Sequence, residues 1–271
     1  MKYRTLITPI FLLSLILFSG CKKDEKSDSG VINFFSIEDD KQLGIEISQE
    51  IANNPNEFPI LDMNQYATAY NYLYEYRDSI LKTGEVGYAN EFVWQFRIIH
   101  RDDVVNAFAV SGGYLYFYTG LIKFLDNGAQ FAGVVAHEMA HAANRHTTNQ
   151  LTKVYGLQVL LGLILGENPS AIAEIAAGLA SGLASLAFSR SHEYNADEYA
   201  VRYTYNTQWD SRGVGGFFQK IEGGSTPPTF LSTHPSPEDR YDKILEMWNI
   251  LGGKIGQENT AAYLQFKNSL P

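Results

Sequence analysis

The spacing of apolar residues predicts two amphipathic helices near the start of the folded part of the chain. Residues 36–54 begin with a serine and several acidic side chains, and apolar residues then recur at helical spacing. Residues 63–82 show a second amphipathic pattern, whose tyrosines are interpreted as packing residues rather than as a cofactor site. We therefore predict that two helices open the domain.

The next apolar runs are typical of β-strands. Residues 91–100 are rich in aromatic and β-branched side chains, and residues 104–122 contain two more such runs, separated by Ser111, Gly112 and Gly113. This pattern predicts a small antiparallel sheet with a tight glycine turn. Residues 130–155 contain no proline and predict one long helix directly after the strands.

The second half of the chain is predicted to be mostly helical. Residues 157–188 are strongly apolar but are interrupted by residues 166–170 and by Glu174, so neither half is a convincing membrane span. We interpret them as two buried helices, with a hairpin lying on a membrane as the alternative. From residue 213 onward, loops rich in glycine and proline alternate with one clear helix at residues 237–251. The predicted class is therefore α+β, mostly helical.

The amino-terminal residues are typical of an export signal. Residues 1–20 carry two basic residues and then an apolar run of about a dozen residues, which is shorter than the roughly 20 that span a bilayer. "LFSGC", ending at Cys21, resembles the lipobox of bacterial lipoproteins, and this cysteine is the only one in the chain. We predict a lipoprotein signal peptide (1–20), a lipidated cysteine with a flexible tether (21–32), and one folded domain (33–271) held at a membrane of the cell envelope.

The charge of the chain narrows the choice of partner. The formal net charge is −9, and no cluster of basic residues interrupts the acidic background. Proteins that bind nucleic acid need a basic surface for the phosphates. The sequence therefore argues against nucleic acid as a partner.

The stretch "GVVAHEMAHAANRH", residues 133–146, contains the motif His-Glu-x-x-His on the predicted long helix. Residues four apart project from the same helical face, so His137 and His141 can share one metal ion. Glu138 lies about 100° around the helix, where it can take a proton from a metal-activated water. The alternative, a pair of ordinary core histidines, predicts no third ligand elsewhere in the chain.

Two residues are candidates for the third ligand. His146 is one position short of the register of the motif HExxHxxGxxH, because Thr147 holds the histidine position and Asn144 the glycine position. Glu193, on a predicted helix, can complete a His/His/Glu zinc site. Asp197, one turn further on, can accept the free ring N–H of a ligand histidine and fix its orientation.

Four blocks in this order resemble the M48 family of metallopeptidases, and the resemblance covers roughly residues 90 to 245. The blocks are residues 105–122, 131–146, 189–202 and 232–241. The resemblance implies a zincin-like domain in which the sheet lies beside the HExxH helix. It implies one zinc ion per chain, bound by His137, His141 and Glu193.

The resemblance also assigns roles to residues around the metal. Glu138 is implied as the general base and Asp197 as the residue that orients a ligand histidine. His234 is implied to lie close to the metal, where it would stabilise the oxyanion or occupy the open zinc position and hold the enzyme off. Arg240 is implied to brace this block.

We therefore predict a zinc-dependent endopeptidase of the bacterial cell envelope, in which a metal-activated water and Glu138 hydrolyse peptide bonds. Its partners would be protein or peptide substrates, including misfolded envelope proteins, and a membrane reached through the lipid on Cys21. We expect the substrate to lie extended along an edge strand at residues 114–118. The alternative is a zinc-binding envelope lipoprotein with a closed or inactive site and a chaperone-like or substrate-binding role.

Overall fold

The computed structural model describes residues 33–154, 171–182, 187–222, 230–234 and 239–271. The predicted signal peptide, the predicted lipidation site at Cys21 and the tether lie outside the described residues. Most of the segment predicted as an apolar helix pair lies outside them as well.

Two helices open the described domain, as predicted. Helix α1 spans Ile37–Asn53, and Ser36 caps it: its hydroxyl accepts a hydrogen bond from the amide of Asp39, whose carboxylate accepts one from the Ser36 amide. Helix α2 spans Ala67–Leu81 and buries one face, which includes tyrosine rings. The tyrosines pack in the core, in agreement with their interpretation as packing residues.

The sheet has three strands: β1 (Gln95–Ile99), β2 (Ala107–Val110) and β3 (Tyr114–Tyr118). Their order is β1-β3-β2, with β2 antiparallel and β1 parallel to β3. The prediction of a purely antiparallel sheet with an edge at residues 114–118 is therefore wrong in both details. After β1 the chain does not form the neighbouring strand at once; it first forms β2, which pairs with β3 in a hairpin. The neighbour of β1 is therefore β3, which becomes the central strand.

The glycine turn between β2 and β3 is confirmed. Gly112 and Gly113 have φ angles of 74° and 86°, a left-handed backbone that residues with a Cβ atom rarely adopt. The turn packs against α1, so that a Cβ atom on Gly112 would lie 3.1 Å from the carbonyl oxygen of Asp40.

The predicted long helix is broken. A short helix α3 (Thr119–Phe124) precedes α4, which spans Gly128–Ala143 and is capped by Asn127. Arg145 then has a φ angle of 58°, and helical structure resumes at residues 146–154. A left-handed residue cannot continue an α-helix, so the uninterrupted helix over residues 130–155 was wrong.

Six further helices occur in the described residues after position 170. They are α5 (Ala171–Gly182), α6 (Arg190–Tyr205), α7 (Gly213–Glu222), α8 (Phe230–Thr233), α9 (Arg240–Ile250) and α10 (Thr260–Asn268). The sequence predicted α9, whereas the glycine-rich α7 and the short α8 lie in regions that were expected to form loops. Helices α6 and α7 both pack against α4, which is almost fully buried.

Helix α5 is part of the core. Ile175 and Leu179 are buried in one cluster with Leu43 and Ile47 of α1. This agrees with the interpretation of a buried helix at this position. Among the residues that the structure describes, no helix combines the length and the apolar character needed to cross a membrane. The α+β, mostly helical class is confirmed.

Candidate metal centre

Helix α4 places two imidazole rings side by side in the interior. His137 and His141 are one helical turn apart, and their Nε2 atoms are 3.0 Å from each other. Both rings are almost inaccessible to solvent. The spacing of the motif therefore produces the convergence of nitrogen atoms that the sequence predicted.

The first turn of α6 faces these two rings. Ser189 caps this helix by accepting a hydrogen bond from the amide of His192. This cap fixes the backbone of the first turn and so the position of Glu193. The Glu193 oxygens lie 3.5 Å from Nε2 of His137 and 3.5 Å from Nε2 of His141. The structure thus brings the predicted carboxylate to the histidine pair.

His234, which directly follows α8, completes the cluster. Its Nδ1 atom is 3.3 Å from Nε2 of His137 and 3.2 Å from Oε1 of Glu193, and its ring stacks on Phe230. Helix α8 is held by a hydrogen bond from the Phe230 amide to the Val105 carbonyl, just before β2. This hydrogen bond connects the start of α8, which leads to His234, to the segment that precedes β2.

The four side chains form a donor set that fits zinc. One ligand atom from each of His137, His141, Glu193 and His234 lies within 4.8 Å of the others, and all four residues are buried. Imidazole nitrogens and a carboxylate oxygen are the ligands that zinc takes in proteins, usually four of them. Buried donors whose lone pairs converge in this way are poorly stable without a cation between them.

A charged pair supports the ligands from behind. Nδ1 of His137 lies 2.9 Å from Oδ1 of Asp197, so this ring presents Nε2 to the cluster. Arg240 on α9 donates to Asp197 and also lies 3.0 Å from Glu193. Burial favours protonation of Asp197, but Arg240 and His137 more than offset it and lower the pKa of this carboxyl.

Glu138 lies between the histidine cluster and the sheet. Its side chain is fully buried, and Oε1 is 3.5 Å from Nε2 of His234. Burial raises the pKa of Glu138, whereas His234 and His137 lower it, as does the backbone of Ala109 on β2. A carboxylate with a raised pKa at the edge of a metal cluster is suited to accept a proton.

Two aromatic residues complete the surroundings of His141, and the sequence assigned no role to either. His146 does not join the cluster: its Nδ1 atom is 2.9 Å from Nδ1 of His141, on the side of the ring away from the other ligands. Burial lowers the pKa of His146 to about 3. Phe188 stacks on the His141 ring with 4.1 Å between the ring centroids. No sequence pattern around Phe188, which lies just before α6, predicted its contact with His141.

The chain was compared with known protein families. The model of peptidase family M48 matches residues 77–248. The chain belongs to this family. The matched range contains all four blocks on which the sequence resemblance was based, and zinc is the metal expected for the His/His/Glu cluster.

Individual relatives cover the same region. A relative from Vibrio cholerae is 30% identical over 210 residues, which are 72% of this chain and 43% of the relative. The beta-barrel assembly-enhancing protease of Escherichia coli is 28% identical over 184 residues, 63% of this chain and 38% of that protein. The mitochondrial metalloendopeptidase OMA1 of Arabidopsis thaliana is 28% identical over 160 residues, 58% of this chain and 32% of that protein. The matches thus span less than half of each relative.

Proposed function

We propose that the protein is a zinc-dependent endopeptidase of the bacterial cell envelope that cleaves peptide bonds in proteins. The observation that carries this proposal is the position of Glu138, buried and directly beside the four-residue donor cluster. A zinc site with a purely structural role needs ligands but no additional carboxylate at its edge. Glu138 is the group that such a site would need for chemistry.

His137, His141 and Glu193 would hold the zinc ion. The chemistry that zinc supplies in such a site is Lewis acidity, which activates a water molecule and polarises the scissile carbonyl. Glu138 would act as the general base that accepts the proton of this water and passes it to the leaving amine. Asp197 would keep the His137 ring in the tautomer that presents Nε2 to the metal.

The proposed position of an extended substrate is along strand β2. It lies at one end of the three-strand sheet, and the Tyr118 amide donates to the Asn106 carbonyl at its start. Because hydrogen-bonded and non-hydrogen-bonded pairs alternate in an antiparallel ladder, the amide of Ala109 points away from β3. A peptide could therefore add to β2 beside Glu138, rather than to β3 as the sequence suggested.

The proposed location rests on the leader pattern and on the relatives. Residues 1–20 have the layout of a lipoprotein signal, and Cys21 stands at the lipidation position. A bacterial relative is named for an enhancing role in beta-barrel assembly. Misfolded envelope proteins are accordingly the proposed substrate class, and the lipid on Cys21 would hold the enzyme at a membrane.

A closed site is the second candidate function, and the position of His234 favours it. Nδ1 of His234 lies within 3.3 Å of His137 and 3.2 Å of Glu193, where a fourth zinc ligand would be. With four protein ligands, the metal has no position for water. The protein would then bind envelope substrates without cleaving them.

The deciding experiment compares the wild type with Glu138→Gln, both expressed without the predicted leader. Bound zinc is measured by elemental analysis and casein cleavage by release of soluble peptides. One zinc per chain in both proteins, with cleavage only in the wild type, is the expected result. Zinc in both without cleavage in either would favour the closed site, and the absence of zinc from both would overturn each candidate function.

A further inference from the structure

We infer that His146 is a positioning residue of the zinc site, which fixes His141 in the tautomer that presents its Nε2 atom to the metal. The inference rests on the proposed zinc site and adds to it a residue for which the family resemblance assigned no role. Three observations carry it: the contacts of the two ring nitrogens of His146, the break in the helix at Arg145, and the ion pair that holds this break.

The two nitrogens of His146 have different partners. Nδ1 lies 2.9 Å from Nδ1 of His141, and Nε2 lies 3.1 Å from the side-chain oxygen of Asn195 on α6. An amide oxygen can only accept a hydrogen bond, so Nε2 of His146 is the donor. A neutral imidazole carries one N–H group, and Nδ1 of His146 is therefore an acceptor.

The proton on His141 follows from this arrangement. Its Nδ1 atom must donate to the acceptor on His146, which leaves Nε2 with a lone pair. The Nε2 atom of His141 lies 3.0 Å from Nε2 of His137 and 3.5 Å from Oε1 of Glu193, so its lone pair is inside the donor cluster. His146 thus serves His141 as Asp197 serves His137, with a neutral acceptor in place of a charged one.

The helix break makes this contact possible. His146 is five residues after His141, and in a continuous α-helix the two side chains would point about 140° apart. The left-handed conformation of Arg145, with φ at 58°, instead starts a new helical segment at His146. The ring of His146 then lies against the outer side of the His141 ring, with 4.9 Å between the centroids.

Arg145 is held in this conformation by the start of α1. Its guanidinium donates to the carboxylate of Asp40, which is buried, and to the backbone carbonyl of Phe35. Left-handed backbone is unfavourable for a residue with a side chain, and such a conformation persists only where its surroundings fix it. The amino-terminal helix is therefore connected to the zinc ligand His141 through Asp40, Arg145 and His146.

The test is zinc affinity, measured by competition with a chelator for the full folded domain. His146→Ala should raise the zinc Kd about 10- to 100-fold, the usual loss when the outer partner of a ligand histidine is removed. His146→Asn should recover most of the affinity, because its amide oxygen lies near the position of Nδ1 and can accept from His141. An unchanged Kd for a folded His146→Ala would overturn the inference.

His192→Ala is the matched control. This second buried imidazole stacks on His146 with 4.5 Å between ring centroids, but its own hydrogen bonding does not involve a zinc ligand among the described contacts. Its removal should leave the zinc Kd unchanged. An equal loss of affinity in His192→Ala and His146→Ala would attribute the effect to packing and would overturn the positioning role.

Two further measurements protect the test against misfolding of the variant. Asn195→Ala removes the acceptor for Nε2 of His146 and should raise the zinc Kd as His146→Ala does. Nitrogen-15 spectra of the zinc-bound wild type should show His146 protonated at Nε2 and His141 at Nδ1; protonation of His146 at Nδ1 would contradict the inference. Neither readout requires peptidase activity. A failure of this inference can therefore be distinguished from a failure of the proposed function in the Glu138→Gln experiment.

Discussion

Arg240 donates two hydrogen bonds to Asp197, from Nε to Oδ2 over 2.6 Å and from Nη2 to Oδ1 over 2.7 Å. Its remaining nitrogen, Nη1, lies 3.0 Å from Oε2 of Glu193. One guanidinium therefore pairs with two buried carboxylates, one beside a ligand histidine and the other in the donor cluster. Asp197 and Glu193 are both on α6, so Arg240 also connects α9 to this helix.

Arg240→Gln should lower the free energy of unfolding by about 3–5 kcal/mol, because it leaves buried negative charge without its partner. The measurement is urea unfolding in the presence of a chelator, so that zinc does not contribute. Arg202→Gln is the matched control on α6, the helix that carries Asp197 and Glu193. Its ion pair with Glu198 is exposed, and its loss should cost less than about 1 kcal/mol. Equal effects of the two substitutions would contradict the structural role of Arg240.

The buried Asp40 predicts a pH dependence of stability. Burial raises the pKa of Asp40 to about 6, although Arg145 lowers it. The folded state thus binds this proton more tightly than the unfolded chain, where the ordinary value is 3.8. The stabilising contribution is fully present below about pH 4 and is lost as the pH rises through 6, by about 3 kcal/mol in all.

The measurement is urea unfolding of the zinc-free wild type and Asp40→Asn between pH 4 and pH 7. The wild type should lose stability relative to Asp40→Asn over this interval, because asparagine has no proton to release. Glu38→Gln is the control, since Glu38 is exposed and forms its ion pair with Lys41 on the same helix. Parallel pH curves for the wild type and Asp40→Asn would show that Asp40 titrates at its ordinary value.

Substrate binding along β2 predicts a specific effect at Ala109. Ala109→Pro removes the outward amide without removing a ladder hydrogen bond to β3. The same amide faces Glu138, so a lost hydrogen bond to the substrate is read from KM, which should rise about tenfold, and an effect on Glu138 is read separately from kcat. Ala109→Gly keeps the amide and serves as the control for the changed side chain. If both folded variants cleave casein equally well, the substrate does not bind along β2.

His234 distinguishes an enzyme that is held closed from one that uses this histidine in turnover. If His234 occupies the fourth position for most of the time, His234→Ala should raise casein cleavage at saturating zinc by at least about tenfold. The same substitution should weaken zinc binding, because one donor is lost. A fall in cleavage with zinc still bound would instead assign His234 to stabilisation of the oxyanion.

The parts of the site that follow from short sequence spacing could be predicted. His137 and His141 meet because they are four residues apart on a helix, and Asp197 follows Glu193 at the same spacing. Glu193 and His234 were placed by the family resemblance, and the structure brings both to the histidine pair. The helical segments with clear amphipathic patterns, such as α1 and α2, were predicted for the same local reason.

The parts that depend on distant contacts could not be predicted. Nothing in the residues around Arg145 indicates a left-handed backbone, because the conformation depends on Asp40, 105 positions earlier in the chain. The order of the strands likewise depends on which strands pair with β3. The alternation of apolar and polar side chains along a strand does not determine this pairing. The role of His146 was missed because it follows from the helix break.

The donor atoms of the cluster come from three separate parts of the chain, and His137 and His234 are 97 positions apart. In an unfolded chain only the histidine pair on one short segment could approach a metal ion, and two ligands bind zinc far more weakly than four. Zinc loading therefore reports on completed folding. For the proposed exported peptidase, the chain would pass through export without an active site, and it would cut other proteins only after its own core has formed.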